Sequence, residues 1–185
     1  YMNQINTFAS RLESNKIDYV FLKGLPLHLY YEQRHAKRLY FDCDILGHDK
    51  YRSQIDRILS QLGYKRSEKD LDPFLKRDHS SYQEVTYVKI FSGFPVSFDI
   101  HFSPVFMMTQ IPHLEPLYPR NLLDKFTLEL LNTKQKIYLN GRSYYILEPS
   151  ILIVYLALHY FHHNFRGIFR LELLYKVVTK SIKRD

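Results

Sequence analysis

The chain has 185 residues, of which 45% are hydrophobic and 24% charged. This excludes a disordered or low-complexity protein and predicts one globular unit with its own core. Lys and Arg number 26 against 19 Asp and Glu, and the net charge of +7 suits a phosphate-bearing partner such as a nucleotide or a nucleic acid. A single cysteine, Cys43, excludes an intramolecular disulfide and a cysteine-based zinc cage, so we expect a cytoplasmic protein. The longest apolar run, residues 151–158, is too short to span a bilayer, so we expect no membrane partner.

The first third of the chain predicts helices that alternate with short strands. In chain order, the apolar spacing indicates a helix that ends near Asn15, a strand at residues 18–22, a helix at 25–32, a strand at 39–46, and a helix from an N-cap at Asp49 to a stop at Gly63. Residues 39–46 alternate apolar and polar side chains, which is typical of a half-buried strand.

The rest of the chain predicts two hairpins and more helices. The expected elements are an exposed loop or flap at residues 66–80, a hairpin of residues 81–91 and 95–102 around Ser92-Gly93-Phe94, a turn-rich segment at 104–119, one helical turn or more at 121–126, a hairpin at 135–147 around Asn140-Gly141, and helices at 151–161 and 168–180. This order favours an α+β fold, in which a mixed sheet is flanked by helices and followed by a helical C-terminal segment.

The chain divides, on this pattern, at residue 126. We expect residues 1–126 to form the core and residues 127–185 to add a β-hairpin and the helical segment. Because the sequence starts at Tyr1 and stops at Asp185 in a basic, helix-like stretch, we also expect it to be a piece of a longer protein.

Three acidic residues lie on the polar faces of two predicted strands. Asp42 and Asp44 are two positions apart, so their side chains project from the same face with Cα atoms about 6.6 Å apart. Asp99 lies on the polar face of the strand around residues 96–102, and it meets the pair if the two strands are neighbours. Three carboxylates repel one another unless a cation compensates, and Mg²⁺ prefers oxygen ligands of this kind. The alternative is that all three are solvated residues on ordinary strands.

A resemblance to a known family rests on three stretches: Leu22-Lys23-Gly24 through Leu29-Tyr30, then Arg38 with Asp42-Cys43-Asp44-Ile45-Leu46, and finally Val96-Ser97-Phe98-Asp99-Ile100-His101. The chain resembles the uncharacterised nucleotidyltransferase family of the polymerase-beta-like superfamily, whose relatives include the abortive-infection type nucleotidyltransferase toxins. Leu147-Glu148-Pro149, with His159, His163 and Arg170, is similar to the helical segment that follows in that family.

The resemblance implies the polymerase-beta-like nucleotidyltransferase fold and a Mg²⁺-dependent enzyme. Such an enzyme transfers a nucleoside monophosphate from a nucleoside triphosphate, such as ATP, to a hydroxyl acceptor that the sequence does not identify, with RNA and protein as candidates. Asp42, Asp44 and Asp99 would then be the catalytic metal ligands, and Lys23 with Gly24 would hold the triphosphate. Pro26 departs from the family pattern, because it supplies no N–H to a phosphate cradle.

Several side chains have two interpretations. Lys23 either binds phosphate or is a surface lysine, and Arg38 binds either phosphate or the aspartates. His101 could position an acceptor hydroxyl or act as a base, and the alternative is a hydrogen-bonded structural histidine. His159 and His163, at i and i+4, favour core packing or contacts to a base or phosphate over zinc.

The alternative to an enzyme is a non-catalytic nucleotide- or partner-binding module on the same fold. A toxin that modifies transfer RNA is a special case of the enzyme, which the basic C-terminal region allows.

Overall fold

The structure is a computed structural model that describes residues 1–32, 39–40, 42–67, 84–104, 119–162 and 165–182. In chain order, its elements are α1 (Met2–Ser14), β1 (Tyr19–Phe21), α2 (Leu25–Glu32), β2 (Asp44–Gly47), a 3₁₀ turn (Asp49–Tyr51), α3 (Arg52–Gln61), β3 (Lys65–Arg66), β4 (Glu84–Phe91), β5 (Phe94–His101), α4 (Arg120–Asn132), β6 (Gln135–Leu139), β7 (Arg142–Ile146), α5 (Pro149–His162) and α6 (Ile168–Ile182).

The strands of the described residues form one mixed sheet in the order β3-β4-β5-β2-β1-β7-β6. β2 is parallel to β5, and β1 is parallel to β7, whereas the other neighbours are antiparallel. The predicted mixed sheet with flanking helices is therefore confirmed. The β6–β7 hairpin joins the same sheet as β1, and the division of the chain at residue 126 stays a prediction.

Both predicted hairpins are confirmed, and each has a two-residue turn. Ser92 and Gly93 have φ angles of 51° and 82°, and Asn140 and Gly141 have φ angles of 50° and 78°. Positive φ at both central residues is the property of the hairpin turns that match the twist of the flanking strands. The turn before β5 is one residue shorter than the sequence predicted, because Phe94 already belongs to the strand.

The predicted half-buried strand at residues 39–46 is wrong in its start and its burial. β2 begins at Asp44, and all four of its residues are buried, whereas Leu39 is 76% exposed and lies outside any strand. β2 lies between β1 and β5 in the middle of the sheet, so both of its edges are paired, and its residues are buried on both faces. Alternation in the sequence therefore does not mark a solvent face here. Phe41 lies outside the described residues.

The predicted N-cap of α3 at Asp49 is also wrong. The chain first forms the 3₁₀ turn, whose cap is His48, and the His48 Nδ1 accepts a hydrogen bond from the Lys50 backbone N–H at 3.1 Å. Asp49 instead accepts a hydrogen bond from Nε of Arg52 at 2.7 Å. Gly63 follows the helix with a φ angle of 83°, as expected for a stop.

The helix of one turn or more that was predicted from residues 121–126 is confirmed, and it continues to Asn132. The predicted flap at 66–80 is described only at residues 66–67, where Arg66 pairs in β3, and the turn-rich segment at 104–119 only at its two end residues.

The two faces of the sheet carry different chemistry. On one face, the ring of Phe98 packs against that of Phe8 with centroids 4.7 Å apart, so α1 covers this side. Ile45 and Ile100 are register partners and extend the same apolar surface. Asp44 and Asp99, the next register pair, point to the opposite face, because successive residues of a strand alternate. The acidic residues therefore lie on the face away from α1.

The C-terminal helix α6 is attached to α2. Nζ of Lys176 lies 2.7 Å from Oε2 of Glu32, and Nζ of Lys180 donates to the backbone carbonyl of Tyr30. These contacts hold α5 and α6 next to the turn that precedes α2. Across the described part of the chain, every helix is too short or too polar to cross a membrane.

Candidate active site

Three carboxylates meet at the point where β2 and β5 run side by side. Asp44 and Asp99 are direct register partners in this parallel pair, and Asp42 lies just before β2. One oxygen from each of Asp42, Asp44 and Asp99 can be chosen so that all three lie within 4.8 Å of one another. Three carboxylate oxygens are a donor set that fits a hard divalent cation such as Mg²⁺. The structure thus brings together the three acids that the sequence singled out.

Asp44 is the most buried member of this acidic triad, and it has two cationic or hydrogen-bonding neighbours. Nζ of Lys23 lies 2.8 Å from its Oδ1, and Nε2 of His101 lies 3.1 Å from the same oxygen. Asp44 is only 2% exposed and His101 only 4%. Because both contacts use Oδ1, they fix the orientation of the carboxylate, and its Oδ2 is left to face other ligands.

The environments of Asp44 and Asp99 shift the pKa values of the two carboxyl groups in opposite directions. Burial alone would raise the pKa of Asp44, but the Lys23 ammonium and the His101 hydrogen bond lower it to about 2. Burial and the Asp44 charge raise the pKa of Asp99 to about 6, and a hydrogen bond with Thr86 opposes part of that rise. Burial would lower the pKa of Lys23, yet the Asp44 carboxylate outweighs it and raises that pKa. The site therefore holds one firmly ionised acid beside one that resists ionisation.

The Lys23-Gly24 turn joins β1 to α2 beside the triad. Gly24 has a φ angle of 98°, a conformation that side chains disfavour. A Cβ at this position would lie 3.4 Å from the Asp42 carbonyl oxygen and 3.6 Å from the Cα of Cys43. The glycine predicted for close approach to a ligand thus also packs against the backbone that carries the acids. Pro26 lies inside the first turn of α2, where a missing N–H costs the helix nothing.

Glu84 is a site neighbour that the sequence reasoning missed. It is the register partner of His101 in the β4–β5 hairpin, and its Oε2 lies 3.5 Å from Nδ1 of His101. The signal was present, because a two-residue turn at Ser92-Gly93 pairs residues 84 and 101. The predicted three-residue turn would pair Val85 with His101 instead. His101 therefore lies between two carboxylates, those of Asp44 and Glu84.

A cleft of about 170 Å³ opens between the triad and the C-terminal helices. Lys23, Gly24, Asp42 and Asp44 line one side. Residues of α5, α6 and the turn between them line the other side, among them Leu156, His159, Gly167, Phe169, Arg170 and Leu173. His159 and Arg170 are the only members of this second wall that the sequence had singled out. The predicted site residue Arg38, and His163 of the predicted histidine pair, lie outside the described residues.

Comparison with known proteins identifies the family. The profile of the family described as "Uncharacterised nucleotidyltransferase" matches residues 1–179. Among solved structures, the chain is similar to the crystal structure of ANT(2'')-Ia in complex with adenylyl-2''-tobramycin, with a TM-score of 0.58 and 10% identity over 96% of this chain and 87% of that chain. It is also similar to the solution structure of the antibiotic-resistance factor ANT(2'')-Ia, with a TM-score of 0.54 and 11% identity over 95% and 81% of the two chains.

A search of curated proteins gives no significant match. The structural neighbours have the polymerase-beta-like fold, so the predicted fold class is confirmed. The family match confirms the predicted class of enzyme, and the chain belongs to the uncharacterised nucleotidyltransferase family.

Proposed function

We propose that this protein uses Mg²⁺ to transfer a nucleoside monophosphate from a nucleoside triphosphate to a hydroxyl acceptor, with release of pyrophosphate. The observation that carries the proposal is the acidic triad, whose oxygens lie within 4.8 Å of one another beside the Lys23-Gly24 turn. Asp42, Asp44 and Asp99 would hold the cation, since Mg²⁺ commonly joins a few carboxylates to substrate phosphates.

The reaction forms one P–O bond and breaks another. The acceptor oxygen bonds to the α-phosphorus, the bond from that phosphorus to the bridging oxygen breaks, and pyrophosphate leaves with the electron pair. A cation bound by the triad supplies Lewis-acid stabilisation of the entering and leaving oxygens. Asp99 has no ion-pair partner within 4 Å among the described residues. We propose that its carboxylate accepts the proton of the acceptor hydroxyl.

Lys23 and Gly24 are proposed to bind the phosphates. Without substrate, the Lys23 ammonium is paired with Asp44, so it lies at the mouth of the turn with its charge already engaged. Neutralisation of Asp44 by another cation frees Lys23 for phosphate oxygens. His101 is proposed to hold Asp44, because its Nε2 already contacts that carboxylate, and Arg38 keeps its proposed role in phosphate binding.

Transfer of label from an NTP tests the proposal directly. Purified protein, Mg²⁺ and an NTP labelled at the α- or the γ-phosphate are incubated with RNA, with proteins and with hydroxylated small molecules. The small molecules are included because the ANT(2'')-Ia complex contains an adenylylated one. We expect label to move to an acceptor from the α position only.

The matched variants are Asp42→Asn and Asp18→Asn. Asp42→Asn removes a triad charge and should reduce transfer by at least about a hundredfold, the scale seen when one stabilising group of an active site is lost. Asp18 is an exposed acid paired with Lys134 at the other end of β1, and its variant should transfer normally. Full transfer by Asp42→Asn rejects the proposed site.

One observation favours the alternative of a nucleotide-binding module without transfer. Lys23 and His101 already compensate the buried Asp44, so the fold does not depend on a bound cation for this charge. NTP binding that is sensitive to Asp42→Asn, with no label transferred to any of the three acceptor classes, would support the module.

A further inference from the structure

The second wall of the cleft, formed by α5 and α6, carries a positively charged side chain, that of Arg170, to which the proposed function gives no role. Arg170 lies in the first turn of α6 and lines the cleft opposite Lys23 and Gly24. His159, one helix earlier on α5, lines the same cleft. Since α6 is tied to α2 through the Lys176–Glu32 ion pair, this wall has a fixed position relative to the Lys23-Gly24 turn.

Arg170 is oriented by groups that leave its charge uncompensated. Its Nε donates to Nε2 of His159 at 3.4 Å, and one terminal nitrogen donates to the backbone carbonyl of Arg166 at 3.2 Å. A histidine ring supplies no negative charge, so this contact does not compensate the guanidinium. Among the described residues, no carboxylate lies within ion-pair distance of Arg170. Lys23, the other cation of the cleft, is already paired with Asp44.

The absence of a side chain at Gly167 leaves room for the guanidinium of Arg170. A Cβ at residue 167 would lie 2.5 Å from a terminal nitrogen of Arg170, so the side chain folds over the glycine that precedes α6. Two contacts and this packing fix the guanidinium, and its remaining N–H donors are available for a planar or tetrahedral anion. The cleft volume of about 170 Å³ is smaller than the roughly 300–1,000 Å³ of typical small-molecule sites, which suits a phosphate tail better than a whole nucleoside.

We propose that Arg170 binds the terminal phosphates of the nucleoside triphosphate from the α6 side of the cleft, with His159 as its positioning residue. The proposal rests on the proposed function, since that function supplies the triphosphate. The phosphate tail would lie between the Lys23-Gly24 turn and the guanidinium, and the helical C-terminal segment thereby becomes part of the substrate site. RNA phosphates offer the same chemistry, so the test includes both sources.

The test measures binding by calorimetry with the full chain and Mg²⁺. The probes are ATP, inorganic tripolyphosphate, adenosine and a short single-stranded RNA. Arg170→Gln should weaken ATP and tripolyphosphate binding by about tenfold or more, as expected for the loss of a charge-assisted hydrogen-bond pair. It should leave adenosine binding unchanged. Mn²⁺ binding at the triad, followed by electron paramagnetic resonance, should also be unchanged, and a merely unfolded variant would fail that measurement.

Matched variants separate geometry from charge. Arg57→Gln removes the same charge from the exposed face of α3, away from the cleft, and should bind all probes as the parent protein does. Arg170→Lys keeps the charge without the guanidinium fork and should bind tripolyphosphate a few-fold more weakly than the parent. If Arg170→Gln does not fold, the affinities of Arg170→Lys and His159→Gln for tripolyphosphate test the proposal. Each should be lower than that of the parent protein.

The outcomes distinguish this inference from the proposed function. Parent protein that binds neither ATP nor tripolyphosphate contradicts both. Parent protein that binds ATP and transfers nucleotide, with unchanged affinity in the Arg170 variants, overturns the inference alone. Loss of RNA binding with unchanged tripolyphosphate binding also overturns it, since the guanidinium would then serve an acceptor.

Discussion

Nζ of Lys23 lies 2.8 Å from Oδ1 of Asp44, and this ion pair joins the turn before α2 to the first residue of β2. The Asp44 side chain is almost completely buried, whereas that of Lys23 keeps 24% of its exposure. Lys23, which the sequence left open between phosphate binding and a surface position, is therefore the main counter-charge of a buried acid of the triad. In the proposed function, this same ammonium also binds phosphate.

Lys23→Met should destabilise the fold, because it leaves the buried Asp44 carboxylate with His101 alone. Removing one partner of a fully buried pair costs roughly 3–5 kcal/mol, and the partial exposure of Lys23 reduces the expected loss to about 2 kcal/mol. Urea unfolding followed by circular dichroism measures it. Asp18→Asn, which breaks the exposed pair with Lys134, should cost less than about 1 kcal/mol. Equal losses in the two variants would contradict the assigned role of Lys23.

Mg²⁺ should raise the melting temperature of the protein through the acidic triad. A ligand that binds only the folded state stabilises it by about 2.7 kcal/mol at a hundred times its dissociation constant. Asp42 is exposed, so Asp42→Asn should fold normally and lose most of this Mg²⁺-dependent shift. Thermal unfolding with and without Mg²⁺ gives the comparison. A shift that persists in Asp42→Asn places the cation elsewhere.

The β5 strand shows what local sequence can predict. Val96, Phe98 and Ile100 are buried and alternate with half-buried Ser97 and Asp99, as the pattern indicated. One face of β5 packs on α1 while the other opens into the site, so alternation and environment agree. Register then depends on the turn, and a one-residue error in that turn concealed Glu84.

The region around β2 shows what local sequence cannot predict. Its alternating residues suggested a solvent face, but the burial of β2 is a property of the tertiary structure, and Asp44 keeps only 2% of its exposure. The apolar part of the second wall of the cleft was missed for the same reason. Leu156 and Leu173 lie within the predicted helices, and only the packing of α5 and α6 brings them to the cleft.

Gly24→Ala and Gly93→Ala form a matched pair. Both glycines have positive φ, so alanine should cost each fold about 1 kcal/mol in backbone strain. A Cβ at residue 93 would meet nothing within 4 Å, whereas at residue 24 it would contact the backbone of Asp42 and Cys43 in a turn that lines the cleft. Calorimetry with ATP and Mg²⁺ should therefore detect weaker binding in Gly24→Ala only. Normal ATP binding by that variant would exclude the turn from the phosphate site.

Glu148 should make the stability of α5 depend on pH. Its carboxylate accepts hydrogen bonds from the backbone N–H groups of Ser150 and Ile151 and from the Ser150 hydroxyl. Burial opposes ionisation, but these bonds together outweigh it and lower the pKa of Glu148. A lowered carboxyl pKa contributes stability above the unfolded-state value, and that stability is lost as the pH falls through the folded-state value.

Glu148→Gln is the variant that measures this contribution. It should cost about 1 kcal/mol at neutral pH, as for other helix caps. The difference from the parent protein should shrink in acid. Urea titrations at pH 7 and in the acidic range provide both numbers, and a loss that does not change with pH would contradict the charged cap.

His101 should determine metal affinity through the orientation of Asp44. Its Nε2 contacts the same Oδ1 that Lys23 contacts, and its Nδ1 lies 3.5 Å from the Glu84 carboxylate, so the ring is held between two strands. His101→Phe keeps the ring volume but removes the hydrogen bond, and Asp44 can then rotate. Loss of a group that orients a metal ligand typically lowers metal affinity about 10- to 100-fold.

Mn²⁺ titration by electron paramagnetic resonance measures this loss, and His101→Gln, which keeps an N–H donor, should recover part of the affinity. The unfolding free energy of each variant separates positioning from simple stability. If His101→Phe and His101→Gln lose stability equally but differ in Mn²⁺ affinity, the histidine positions Asp44. Equal Mn²⁺ affinity in both variants and the parent protein would show that His101 does not orient Asp44 and only packs in the fold.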